Sequence, residues 1–173
     1  LVAQRSEGQE SRALIQCKSS IHVAVSDDDF AETVRAAWCD FRNPAVFTRG
    51  RDVVGLVVEN ASAADNKGLL RLLEVAQAAA DVADLDARLG RPGLVDRNAS
   101  RCRDVIASVL GQAEGCAPSP DELFAFLRAW RFHQLDLTVS GSAALGLVHG
   151  LLALASHGSD DPTKATASAA ETW

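Results

Sequence analysis

Residues 13–20 read ALIQCKSS. The run has the apolar content of a strand, and side chains of an extended chain alternate between its two faces, so Gln16 and Lys18 project to the same side. An amide and an ammonium on one face of a core strand mark that face as a place where polar chemistry is wanted.

The flanking sequence tells what kind of sheet holds this strand. Upstream, residues 1–5 (LVAQR) form a second strand pattern, and the polar residues 6–11 (SEGQES) between the two have the composition of a hairpin, which predicts an antiparallel pair with the second strand running over residues 13–25. Downstream, residues 26–29 (SDDD) open a helix, with Ser26 as the expected N-cap and three carboxylates at the positive end of the helix dipole. Phe30, Val34, Ala37, Trp38 and Phe41 follow at helical spacing as one apolar stripe. Asn43 and Pro44 stop the helix, and residues 52–59 (DVVGLVVE) read as a short strand buried on both faces, as in a parallel or mixed sheet. From Asn66 onward, Leu69, Leu70, Leu72, Leu73 and Val75 begin a second helix expected to reach about Leu85. The N-terminal half is therefore expected to be α/β, with a strand–helix–strand unit beside the hairpin.

The pattern changes after residues 90–93 (GRPG). Cys102, Val105, Ile106, Val109 and Leu110 predict a helix. Ser119-Pro120-Asp121-Glu122 opens another, with its stripe running through Leu123, Leu127 and Trp130 to Gln134. A third helix is expected over residues 143–155, and no further strong strand is read. The expected division is an α/β domain over residues 1–90 and a helical extension over residues 91–173.

Composition narrows the function classes. The 173 residues are 47% hydrophobic, enough for a globular core, and no apolar run reaches the roughly 18 residues of a bilayer span, so a membrane protein is not expected. A start at Leu1 and the absence of methionine read as a segment of something larger, with no secretory signal in view. The four cysteines form no C-x-x-C pair, which predicts buried free thiols in a reducing cytosol rather than zinc ligands or a disulfide framework. The net charge of −6 excludes a generally basic nucleic-acid binder but leaves room for a local patch at Arg42, Arg49 and Arg51. There is no G-x-x-x-x-G-K-[ST] loop for phosphates and no G-x-S-x-G elbow for a serine nucleophile.

The chemistry that suits Gln16 and Lys18 is metal-dependent cleavage of a phosphodiester. An amide oxygen can ligate Mg²⁺, a hard cation, while a lysine two residues on positions the attacking water or offsets phosphate charge. Taken alone, the Q-x-K string also fits a polar strand edge.

In order and wording the chain resembles a known family. LVAQRS, a turn, ALIQCKSS, a Ser/Asp-rich loop, FAETVRAAWCDF, FTRGRDVVGLVVENAS and KGLLRLLEVAQAA are similar to the restriction-endonuclease-like domains of PD-(D/E)xK type at the N-termini of large bacterial antiphage-defence NTPases. The likeness covers residues 1–80, and residues up to Trp173 resemble the linker before the NTPase module. It implies a mixed sheet of restriction-endonuclease-like type and a cytoplasmic DNA endonuclease using Mg²⁺ or Mn²⁺. Lys18 and Gln16 would be catalytic, with Gln16 a metal ligand. The implied partners are DNA, further domains of the same chain including the NTPase module, and other copies of the chain in a homo-oligomer. The chain departs from the pattern twice. The family's other metal-binding acid belongs to the strand that here starts at Leu1, so it is expected just upstream, and Gln16 stands where many relatives have glutamate. The alternative is a catalytically silent nuclease fold that binds nucleic acid or assembles subunits.

His22 shares the face of Gln16, Lys18 and Ser20 by period-two counting and is, with Arg42, Arg49 and Arg51, a candidate nucleic-acid contact. Glu32 lies off the apolar stripe of its helix, where a helix acid of this fold can assist the metal site, although a solvated surface acid is the simpler reading. Asp27, Asp28 and Asp29 are read as helix-capping residues. Trp38, Trp130 and the phenylalanines are assigned to the core.

Overall fold

A computed structural model describes residues 2–6, 9–91 and 97–135. Its elements, all within the compact unit Leu1–Gln134, run in the order β1 (Val2–Ser6), β2 (Gln9–Ile21), α1 (Asp28–Arg42), β3 (Val53–Ala61), α2 (Ala63–Ala78), α3 (Val82–Leu89), α4 (Arg97–Glu114), α5 (Pro120–Ala129) and β4 (Trp130–Gln134). The sheet order is β1-β2-β3-β4. β1 and β2 are antiparallel, whereas β2, β3 and β4 are parallel. The fold is mixed α/β, as the strand and helix patterns predict.

Helix α1 forms where the stripe places it: Phe30, Val34, Ala37, Trp38 and Phe41 are all buried. Its N-cap is Asp27 rather than Ser26; the Asp27 carboxylate accepts the Phe30 amide at 2.7 Å, the usual service of an N-cap side chain. The second helix divides. α2 ends with Ala79 in extended conformation, and α3 restarts at Val82 behind its own cap, Asp81, whose side chain accepts the Asp84 amide at 2.8 Å. The helix starting at Pro120 has the expected Ser119 cap, completed into a capping box by Glu122.

That helix stops at Ala129, and Trp130–Gln134 is a strand paired with β3, which corrects the expectation of helix through Gln134 and of no further strand. Trp130 and Gln134 fit a helical stripe by coincidence. The period that holds is two, with Trp130 and Phe132 buried against half-buried Arg131 and exposed His133.

Val54, Leu56, Val58, Trp130 and Phe132 form the buried face of the sheet. They meet the stripes of the helices, where Trp38, Phe41, Phe126 and Trp130 make a chain of ring contacts at 5.2–5.7 Å between centroids. The other face of β3 is only half-buried, not buried as the apolar run implies, and beside it Ile15 is 41% exposed. None of the four cysteines forms a disulfide, but Cys17, Cys39 and Cys116 are exposed and Cys102 alone is buried. Cys17 lies opposite Val57 on the uncovered face, and Cys39 lies off the stripe of α1. The helix expected over residues 143–155 lies outside the described residues.

Helices α2 and α4 approach closely at Gly68. A Cβ there would lie 2.8 Å from Cys102 Sγ and 3.0 Å from both Asn98 Cβ and Asn98 O. Alanine improves helix propensity by about 1 kcal/mol, but overpacking costs about 1–3 kcal/mol. Gly68→Ala is therefore expected to lower stability by about 1 kcal/mol, measured as a lower urea midpoint at unchanged m-value.

Candidate functional site

The parallel register sets Gln16 beside Leu56 and Lys18 beside Val58, so both point to the face on which the helices pack, toward the C-terminal end of β2. Each is partly buried. The chain then turns at residues 22–27 and α1 begins, which brings the first turns of that helix over the end of the strand. Lys18 Nζ donates to Asp29 Oδ1 at 2.9 Å and lies 3.4 Å from Glu32 Oε2. Asp29 is thus not a capping group; Asp27 does that work, and Asp29 and Glu32 present a pair of carboxylates to the lysine.

The hydrogen bond to Asp29, and secondarily that to Glu32, hold the Lys18 ammonium above its ordinary pKa range despite some desolvation. Lys18 is a fixed positive charge at neutral pH, suited to orienting water or stabilising phosphate charge and unsuited to proton abstraction. Gln16, Asp29 and Glu32 supply oxygen donors, the type a hard divalent cation takes. Among the described residues no three His, Cys, Asp or Glu side chains converge into a ready metal cage. Mg²⁺ ordinarily binds through one or two carboxylates and keeps several waters, so the donor set fits it in kind.

His22 follows the end of β2 and joins a different group. Its Nδ1 lies 2.8 Å from Oδ2 of Asp65, a residue 1% exposed in the first turn of α2. Asp65 also accepts from Ser62 Oγ at 2.9 Å and from the Arg101 guanidinium of α4. Burial would raise the Asp65 pKa, but the hydrogen bonds from Arg101, Ser62, His22 and the Val23 amide outweigh it and leave the carboxyl below its usual range. Asp65 ties the end of β2 to α2 and α4. Its signal in the sequence is the S-x-x-D spacing of Ser62 and Asp65, the mark of a helix start.

The arginines stand elsewhere. Arg42 pairs with Glu114 of α4, which also accepts the Trp38 indole N–H at 2.7 Å. Arg49 lies 4.6 Å from the centroid of the Phe41 ring, and Arg51 donates to Asp52 at 3.1 Å and Thr48 at 3.0 Å. They surround the C-terminal end of α1, and Asp29 near its other end is 13 residues before Arg42, or about 20 Å along the axis. The structure sets Gln16 and Lys18 on one face of β2, places His22 beside Asp65, and keeps the arginine cluster apart from both.

No helix among the described residues is long and apolar enough to cross a membrane. No family model, curated protein or solved structure matches the chain.

Proposed function

We propose that this chain is the metal-dependent DNA endonuclease domain, restriction-endonuclease-like in fold, of a larger cytoplasmic antiphage-defence protein carrying an NTPase module. The observation that carries the reading is Lys18 Nζ set against the carboxylates of Asp29 and Glu32 on the strand face that also carries Gln16. The order of elements around it supports the same reading, with an antiparallel strand before β2 and a helix and a parallel strand after it.

Gln16, Asp29 and Glu32 are the residues that would hold Mg²⁺ or Mn²⁺. When bound, the ion supplies Lewis-acid polarisation of a phosphoryl oxygen and a more acidic water. Lys18 keeps its proton and offers positive charge to the scissile phosphate, and the two acids that hold it fix its direction. His22 sits past the strand end with Nδ1 engaged by Asp65, so its other ring nitrogen is the atom for a backbone contact.

The test is incubation of supercoiled plasmid with the protein carrying its native upstream sequence, in Mg²⁺ or Mn²⁺ and with EDTA as control. Nicked or linear product formed only with the metal is expected. A folded protein that leaves the plasmid intact under all these conditions overturns the reading.

A second reading rests on the neutralisation of Lys18 by two carboxylates beside the neutral amide of Gln16. A site so compensated also suits a nuclease fold that binds nucleic acid or assembles subunits without cutting. DNA retention without cleavage would select it.

A further inference from the structure

At the other end of the sheet, where β3 and β4 begin, the surface opens into a cleft of about 490 Å³ lined by Arg49, Arg51, Arg128 and Arg131 and, among the described residues, by one carboxylate, Asp52. The turn of residues 48–51 builds one wall: Arg51 and Asp52 amides both return to the Thr48 carbonyl, and Gly50 takes φ +80°, the left-handed value that a tight turn of type II requires at its third position. This places Arg49 and Arg51 on either side of Gly50. Arg128, at the end of α5, and Arg131, on β4, come from the opposite wall.

Asp52 neutralises only one of the four. It is buried, accepts from the amides of Thr48 at 2.8 Å and Arg12 at 3.0 Å, and pairs with Arg51. Among the described residues, Arg49, Arg128 and Arg131 have no carboxylate partner. Arg49 and Arg128 rest instead on the rings of Phe41 and Phe124, at 4.6 and 5.5 Å, and Arg131 donates to the carbonyls of Arg128 and Trp130. In a chain with net charge −6, three uncompensated guanidiniums around one concavity are a local inversion of sign, and stacking on aromatic faces holds two of them ready.

We propose that this cleft binds a small phosphorylated ligand with at least two phosphate groups, of the nucleoside di- or triphosphate class. Guanidinium is the donor matched to phosphate, one fork binding two oxygens, so three guanidiniums without a carboxylate partner exceed what one phosphate fills. The volume lies in the range of small-ligand sites. A second cavity of about 330 Å³ shares Phe41 and Arg49 and is walled also by Arg42, Pro44, Phe47 and Thr48, giving a recess with three apolar walls for a base beside the cationic one for phosphates. The proposal does not depend on the role of Lys18.

Calorimetric titration of the full chain, in EDTA at fixed ionic strength, with pyrophosphate, ADP, ATP, adenosine and a short DNA duplex tests it. Pyrophosphate and both nucleotides are expected to bind, adenosine not. Arg128→Gln with Arg131→Gln should weaken nucleotide binding at least tenfold, Arg49→Gln alone several-fold, and Lys18→Ala not at all. The absence of binding by pyrophosphate and nucleotides at millimolar concentration overturns the proposal, as does binding that survives unchanged in the folded arginine variants. DNA that displaces pyrophosphate, and whose binding is lost in the same variants, overturns it in favour of a nucleic-acid backbone contact.

Discussion

Replacing Lys18 by alanine is expected to lower metal-dependent DNA cleavage by about 10²–10³-fold, the loss found when one preorganised group facing transition-state charge is removed. Stability should hardly change. Asp29 and Glu32 have side chains 65% and 74% exposed, so their pairing with Lys18 is a surface interaction worth under about 1 kcal/mol. A parallel fall of activity and thermal stability would show that Lys18 is only a structural tie between β2 and α1. Equal cleavage by variant and parent, measured as initial rates of plasmid nicking, would remove Lys18 from the site.

The second large effect concerns folding. Asp65→Ala deletes the buried acceptor shared by Arg101, Ser62 and His22. Removing one partner of a fully buried pair costs about 3–5 kcal/mol. Here Arg101 and His22 side chains are 39% and 65% exposed, and Arg101 retains its bond to the Val23 carbonyl at 2.7 Å, so about 2–3 kcal/mol is expected. The sign with pH follows from the carboxyl lying below its ordinary value when folded. Its contribution is fully present above the unfolded carboxylate pKa of about 3.9 and is lost as pH falls through the lower folded value. Wild-type stability should therefore decline on acidification below about pH 4 more steeply than that of Asp65→Asn, as urea titrations across that range would measure.

The elements with clear periodicity were legible. The stripe from Phe30 to Phe41 marks α1, the hairpin composition gives the antiparallel pair, and the apolar run at residues 52–59 locates β3 within two residues at each end. Strand β4 was hidden because Trp130 and Gln134 continue the spacing of Leu123 and Leu127, and only the pairing with β3 decides between periods of two and 3.6. The division of α2 from α3 was hidden because Ala78, Ala79 and Ala80 carry no stop signal; the break depends on the Asp81 cap. An apolar run likewise does not tell whether both faces are covered, hence the exposed Ile15.

The site was legible in part for the same reason. Gln16 and Lys18 share a face by local geometry alone. That Asp29 rather than Asp27 or Asp28 meets Lys18 depends on the phase of α1 over the strand, which a sequence does not carry. Asp65 and Arg101 are 36 residues apart, and Arg51 and Arg131 come from separate elements, so their meeting is a property of the packed sheet and helices.

A divalent-cation site at the end of β2 and the start of α1 is read out by Mn²⁺ titration followed by backbone amide line broadening in the magnetic resonance spectrum. Broadening centred on Gln16, Asp29 and Glu32, and competed away by excess Mg²⁺, is the expected result. Broadening spread evenly over the surface carboxylates, or centred away from these three residues, would contradict the account.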